Sequence, residues 1–111
     1  MGREKIFENK VKRYLESLGI YALGTPRTKM SVEPIGYYEK RWGSMFTPSG
    51  LPDMHICVHG HSLEVELKGD TGRVSALQKF MIEQINDAGG KAIVLRPDKF
   101  ADFKALLEYY L

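Results

Sequence analysis

Cysteine is almost missing from this chain. The single residue, Cys57, excludes an intrachain disulfide and points to a reducing, cytosolic setting. No apolar run approaches the length of a membrane span. The basic start, Arg3 to Lys5, leads into no signal-type apolar core, so a soluble cytoplasmic protein is expected. Repeats and low-complexity tracts are absent, and 111 residues suit one domain spanning 1–111. Neither sign of charge predominates, with 16 Lys/Arg against 14 Asp/Glu. A net charge of +2 is too weak by itself to imply a polyanionic partner.

Its distribution says more. Residues 1–41 hold nine Lys/Arg against five acids, a balance of +4, and the remainder carries −2. Positive charge therefore gathers away from the acidic stretch around Glu64 and Glu66.

Ile6, Phe7, Val11, Tyr14, Leu15 and Leu18 recur at helical spacing, which predicts a helix over Arg3–Leu18 stopped by Gly19. Residues 20–23 read as a short strand. Over 24–49 the periodicity fails, amid Pro26, Pro34 and Pro48 and a basic-aromatic cluster, GYYEKRWGSMF; such a segment is usually functional or mobile. Strands are expected at Met54–Val58 and 62–68 around a His59-Gly60 turn. A helix over 74–88 lines Leu77, Phe80, Met81 and Ile85 on one side and ends at Gly89-Gly90. Ala92–Leu95 reads as a buried strand, and 99–110 as a final helix with Phe100, Phe103, Leu106, Leu107 and Tyr110 inward. The order α-β-β-β-α-β-α describes an α/β domain, a mixed sheet flanked by helices.

If His59-Gly60 is a two-residue hairpin loop, Met54 faces Val65 and Ile56 faces Leu63 on the core side. On the other side Asp53 lies opposite Glu66 and His55 opposite Glu64, with directly opposed Cβ atoms roughly 4.5–5.5 Å apart. A one-residue slip would mix apolar and charged positions on both faces. Carboxylates held this close raise each other's proton affinity unless a cation compensates. Mg²⁺ favours one or two carboxylates with waters and a substrate phosphate. Lys68 shares the face, where its ammonium can orient a water or steady charge on a phosphate. Against this stands a plainer reading, since Glu-x-Glu-x-Lys on the wet face of a strand is common. The Pro-Asp at the spacing that sets Asp53 opposite Glu66 favours chemistry.

Pro52-Asp53 followed by Glu66-Leu67-Lys68 resembles the PD-(D/E)xK motif of a nuclease superfamily. Within it, SGLPDMHI, LEVELKGDTGRVSALQ and the early helix with Glu8 are most similar to the VRR-NUC family, over nearly the whole chain. The chain departs locally, with VSALQ where LSPEQ-like text is usual. The resemblance implies a restriction-endonuclease-like core and an Mg²⁺- or Mn²⁺-dependent endonuclease, with no organic cofactor. It implies a homodimer that cuts branched DNA such as four-way junctions. By the same resemblance Asp53 and Glu66 bind the metal by side chain and Leu67 by its carbonyl, and Lys68 positions the attacking water. Gln78 supports the site or contacts the substrate, and Glu8 reaches the metal through water. A non-cleaving branched-DNA or replication module, or a metal-dependent RNase, are the alternatives.

Among other candidates, Glu64 is more readily a solvated strand residue than a second ligand. His59 and His61 are expected as surface turn residues, and His55 carries a minority case for touching metal or phosphate. Arg73 precedes a helix whose first amides can hold a phosphate. Lys12 and Arg13 read first as a solvated helix face and, through their nearness to Glu8, also as candidate DNA contacts, as does Arg41. Tyr37, Tyr38, Lys40, Arg41 and Trp42 together have the composition of a nucleic-acid or protein contact, against the alternative of a loop that packs its own aromatics on the domain. Cys57 reads as a small buried apolar residue.

Overall fold

A computed structural model describes residues 2–42 and 49–111. Gly43, Ser44, Met45 and Phe46 of the basic-aromatic cluster, and Pro48, lie outside the described residues. Helix α1 (Arg3–Leu18) buries Phe7, Val11 and Leu15, one helical stripe, while Ile6 is exposed. It ends where Gly19 turns into the left-handed region at φ 95°. A Cβ on Gly19 would stand 2.3 Å from the Glu33 carbonyl oxygen, so only glycine fits there.

Strands β1 (Ile20–Ala22), β2 (Gly36–Lys40), β3 (Met54–Val58), β4 (His61–Leu67) and β5 (Ala92–Leu95) form one sheet in the order β1-β2-β3-β4-β5. The outer pairs β1–β2 and β4–β5 are parallel, and β2–β3 and β3–β4 antiparallel, so the sheet is mixed. Helix α2 (Ala76–Asp87) precedes β5, and α3 (Phe100–Glu108) follows it after a short 3₁₀ turn. The chain is thus an α/β fold of five strands and three helices among the described residues.

The expected order is corrected in one place: β2 lies inside the stretch expected to be irregular. Its Tyr38 is buried with the phenol donating to Glu16 of α1 at 2.8 Å, and its five residues pair with β3 throughout. The segment leading into it is pinned by Tyr21, whose hydroxyl accepts from the Val32 amide at 2.9 Å. The hairpin register is the expected one, Met54 with Val65, His55 with Glu64 and Ile56 with Leu63. His59 at φ 49° and Gly60 at φ 82° supply the two positive angles that a tight primed turn requires.

One face of the sheet, carrying Met54, Ile56, Val58, Leu63, Val65 and Leu67, forms the core with α1 and α3 through Phe7, Leu15, Phe100, Phe103 and Leu107. The other face is polar and lies toward α2. No residue of α2 is fully buried; Leu77 and Phe80, expected on its apolar side, are 45% and 58% exposed. Ile93, Val94 and Cys57 are half-buried rather than buried, because β5 is an edge strand and Cys57 points to the polar face. No helix among the described residues is long and apolar enough to cross a membrane.

Candidate active site

Pairing between β3 and β4 stops at Met54 and Val65. One step further, the Asp53 carboxylate takes over the role of a backbone rung and accepts the Leu67 amide at 2.8 Å. Because the N–H and C=O of a strand residue point the same way, the Leu67 carbonyl is aimed toward Asp53 as well. Across the opening stands Glu66, only 2% exposed. Two donors converge on its Oε2: Gln78 Nε2 at 3.0 Å and Lys68 Nζ at 3.3 Å. The other oxygen, Oε1, is buried and has no hydrogen-bond partner among the described residues.

The ionisation of Glu66 follows from these neighbours. Burial pushes its carboxyl upward, the Asp53 charge adds to this, and the Lys68 ammonium pulls back; the result lies above the usual carboxylate range. A site with a bare buried carboxylate oxygen, a second carboxylate and a strand carbonyl suits a hard divalent cation, whose charge would offset this repulsion. Among the described residues no group of three His, Cys, Asp or Glu side chains that could hold a metal ion is present; the donors that could serve one here are the two acids and the Leu67 carbonyl.

Gln78 is placed by helix chemistry. Ser75 caps α2 by accepting the Gln78 amide at 3.1 Å, and Gln78 Oε1 accepts the Ser75 amide at 2.9 Å. With Oε1 engaged in this capping box, Nε2 is the end left for Glu66.

Arg41, expected at DNA, is instead turned inward. Its guanidinium forms a two-pronged pair with Glu64 and donates to the Pro52 carbonyl at 3.0 Å. Its backbone amide donates to the Asp53 carbonyl at 2.6 Å. Arg41 thus fixes the Pro52-Asp53 backbone from both its ends, a role legible only once β2 is laid beside β3. Glu64 is accordingly not a solvated strand residue: it is paired with Arg41, and its Oε1 lies 2.6 Å from His55 Nδ1. These three residues, with Leu51, Ser62, Ile85 and Lys91, line a groove of about 380 Å³ between the sheet and α2.

Glu8 is buried on the α1 side, engaged by Lys5 at 2.8 Å, Lys12 at 3.0 Å and Lys40 at 3.5 Å. Burial pushes its carboxyl up, but the three ammoniums outweigh this and hold it down at about 2. The structure therefore brings Asp53, Glu66, Leu67, Lys68 and Gln78 together, and gives Glu8 lysines as its immediate company. Lys12 is half-buried on Glu8, while Arg13 and Arg73 are exposed. His59 and His61 are exposed around the hairpin turn, His61 lying 5.0 Å from the Tyr110 ring.

No protein-family model, curated protein or solved structure matches the chain. What the site can do rests on its own geometry: two acids at a strand opening, an ammonium on one of them, and an amide locking that acid in place.

Proposed function

We propose that the protein is an Mg²⁺- or Mn²⁺-dependent DNA endonuclease with a restriction-endonuclease-like core, of the VRR-NUC type within the PD-(D/E)xK superfamily. The observation that carries this reading is Glu66: two donors hold one carboxylate oxygen while the other is buried and bare, opposite Asp53. Asp53, Glu66 and the Leu67 carbonyl would hold the cation, and when bound it supplies charge to neutralise the scissile phosphate.

The chain's own residues do the rest. The Leu67 amide orients the Asp53 carboxylate, and Gln78 orients that of Glu66. Arg41, just past the end of β2, holds Pro52 and Asp53 in place. The Lys68 ammonium, half-buried beside Glu66, directs the attacking water at phosphorus in line with the leaving oxygen and stabilises the charge that builds on the phosphate. The water gives up a proton to solvent as it forms the new P–O bond, the ester P–O bond breaks, and the leaving oxygen takes a proton from solvent. A homodimer cutting four-way junctions is part of the proposal. Symmetric junctions need two matched cuts, and the exposed Leu77 and Phe80 of α2 offer an apolar surface for a second copy.

The test is incubation with linear, nicked, flapped and four-way DNA and with RNA, with Mn²⁺ or EDTA, beside Asp53→Ala. Mn²⁺-dependent DNA cleavage lost in Asp53→Ala, by at least ~100-fold, is expected. Equal cleavage by the variant removes the assignment, cleavage of RNA alone selects the RNase, and junction binding without cleavage selects the non-cleaving module.

A further inference from the structure

The basic-aromatic cluster is sorted by the fold into inward and outward members. Tyr38 is buried against Glu16, Arg41 is turned onto Glu64 and Pro52, and Lys40 reaches Glu8. Trp42 is the large aromatic of the described part of this cluster that remains outward, 66% exposed. Two ammoniums stand over its ring, Lys40 at 4.8 Å and Lys5 at 5.5 Å from the centroid. Both lysines also lean on Glu8, together with Lys12. Three ammoniums against one carboxylate, itself held ionised, leave positive charge in excess around Glu8, and two of these ammoniums stand at the exposed indole.

The position matters as much as the composition. Trp42 follows Arg41, whose amide is bonded to the Asp53 carbonyl, and Lys40 pairs with Met54. The indole therefore stands at the same end of the sheet as the two acids, a residue away from the backbone that carries one of them.

We propose that Trp42, with Lys5 and Lys40, is a stacking platform for an unpaired base of the DNA strand, placed next to the phosphate presented to Asp53 and Glu66. An indole face receives any base without regard to sequence, and flanking ammoniums take the phosphates on either side. The lysine stems are flexible enough to yield the ring face to a base while keeping their charge nearby. A cationic surround disfavours a protein partner of the usual interface kind, whose centre is depleted of charge. The ligand rests on the nuclease reading; the platform itself is separable from it. It favours DNA with unpaired nucleotides, such as a flap or a junction whose crossover pairs open, since a paired base does not offer its face.

Trp42 is the sole tryptophan, so its emission reports this site alone. The experiment titrates Asp53→Asn protein, in EDTA, with a short single-stranded DNA, the same strand carrying abasic residues, its blunt duplex and its RNA equivalent. Indole emission is followed alongside the anisotropy of labelled DNA. Quenching that saturates with single-stranded DNA, and is lost with the abasic strand, is the expected result. Trp42→Leu should weaken single-strand affinity on the order of tenfold while Trp42→Phe stays within about threefold. Lys5→Gln, which leaves Lys12 and Lys40 on Glu8, should flatten the salt dependence of binding. Quenching by RNA alone would overturn the assignment to DNA. Unchanged emission at saturation, equal quenching by the abasic strand, or unchanged affinity in Trp42→Leu would overturn the platform, even if Asp53-dependent cleavage stands. An emission change driven by protein concentration without DNA would place a second copy on Trp42 and overturn it too. Quenching with no cleavage by the wild type would keep the platform and remove the nuclease.

Discussion

Glu66 and Glu8 are both buried carboxylates, and their neighbours move them in opposite directions. For Glu66 the folded state disfavours ionisation, so the fold is best served below the ordinary carboxylate range and loses stability as pH rises from there through the raised value. Glu66→Gln should therefore make the metal-free protein more stable at pH 7, by about 1 kcal/mol, with the gain vanishing in acid. Urea denaturation at a series of pH values measures it. Glu8 behaves the other way. Its depressed value, from 4.5 to about 2, gives stability present above the ordinary range and lost as pH falls through about 2. Glu8→Gln should cost about 1–3 kcal/mol at pH 7, since three lysines lose their counter-charge, and the difference should close on acidification. The same urea series measures it. Lys5 and Lys12 at i−3 and i+4 of Glu8 were legible as helix neighbours in the sequence; Lys40 was not, because its approach depends on β2.

At the scale of elements, the hairpin was readable because two independent signals agree. Alternation over Met54–Val58 and His61–Leu67 and a turn ending in Gly60 allow one register only. β2 gave no such agreement. Its Tyr37, Glu39 and Lys40 are half-buried or exposed, so the strand lacks a plain apolar alternation, although paired tyrosines favour strands. Gly36 shows how tightly β2 is laid against β3: a Cβ there would lie 2.1 Å from the Cys57 carbonyl oxygen. Everything that β2 delivers, Arg41 on Pro52 and Lys40 on Glu8, was hidden with it. Helix α2 acts through its first turn. Ser75→Ala removes the cap while leaving Gln78 in the chain, and should cost about 1 kcal/mol of stability. On the proposed nuclease reading it should also lower the cleavage rate, because Gln78 is no longer locked toward Glu66. Thermal unfolding and single-turnover cleavage separate the two effects, and rescue of both by Ser75→Asp is expected, since aspartate caps equally well.

The whole molecule divides its sheet between two tasks. The face toward α1 and α3 holds the core, and the face toward α2 is left polar, with Asp53, Glu66, Glu64 and His55 on it. The positive balance of residues 1–41 collects in part around Glu8 and Trp42, at the end of the sheet where β3 and β4 part. The claim underlying this arrangement is that the two opposed acids hold a divalent cation. Calorimetric titration with Mn²⁺ at neutral pH measures it directly, using the wild type, Asp53→Ala and Glu66→Gln. Saturable heat of binding in the wild type, absent from both variants, is expected. The same heat in all three proteins, or none in the wild type, would contradict it.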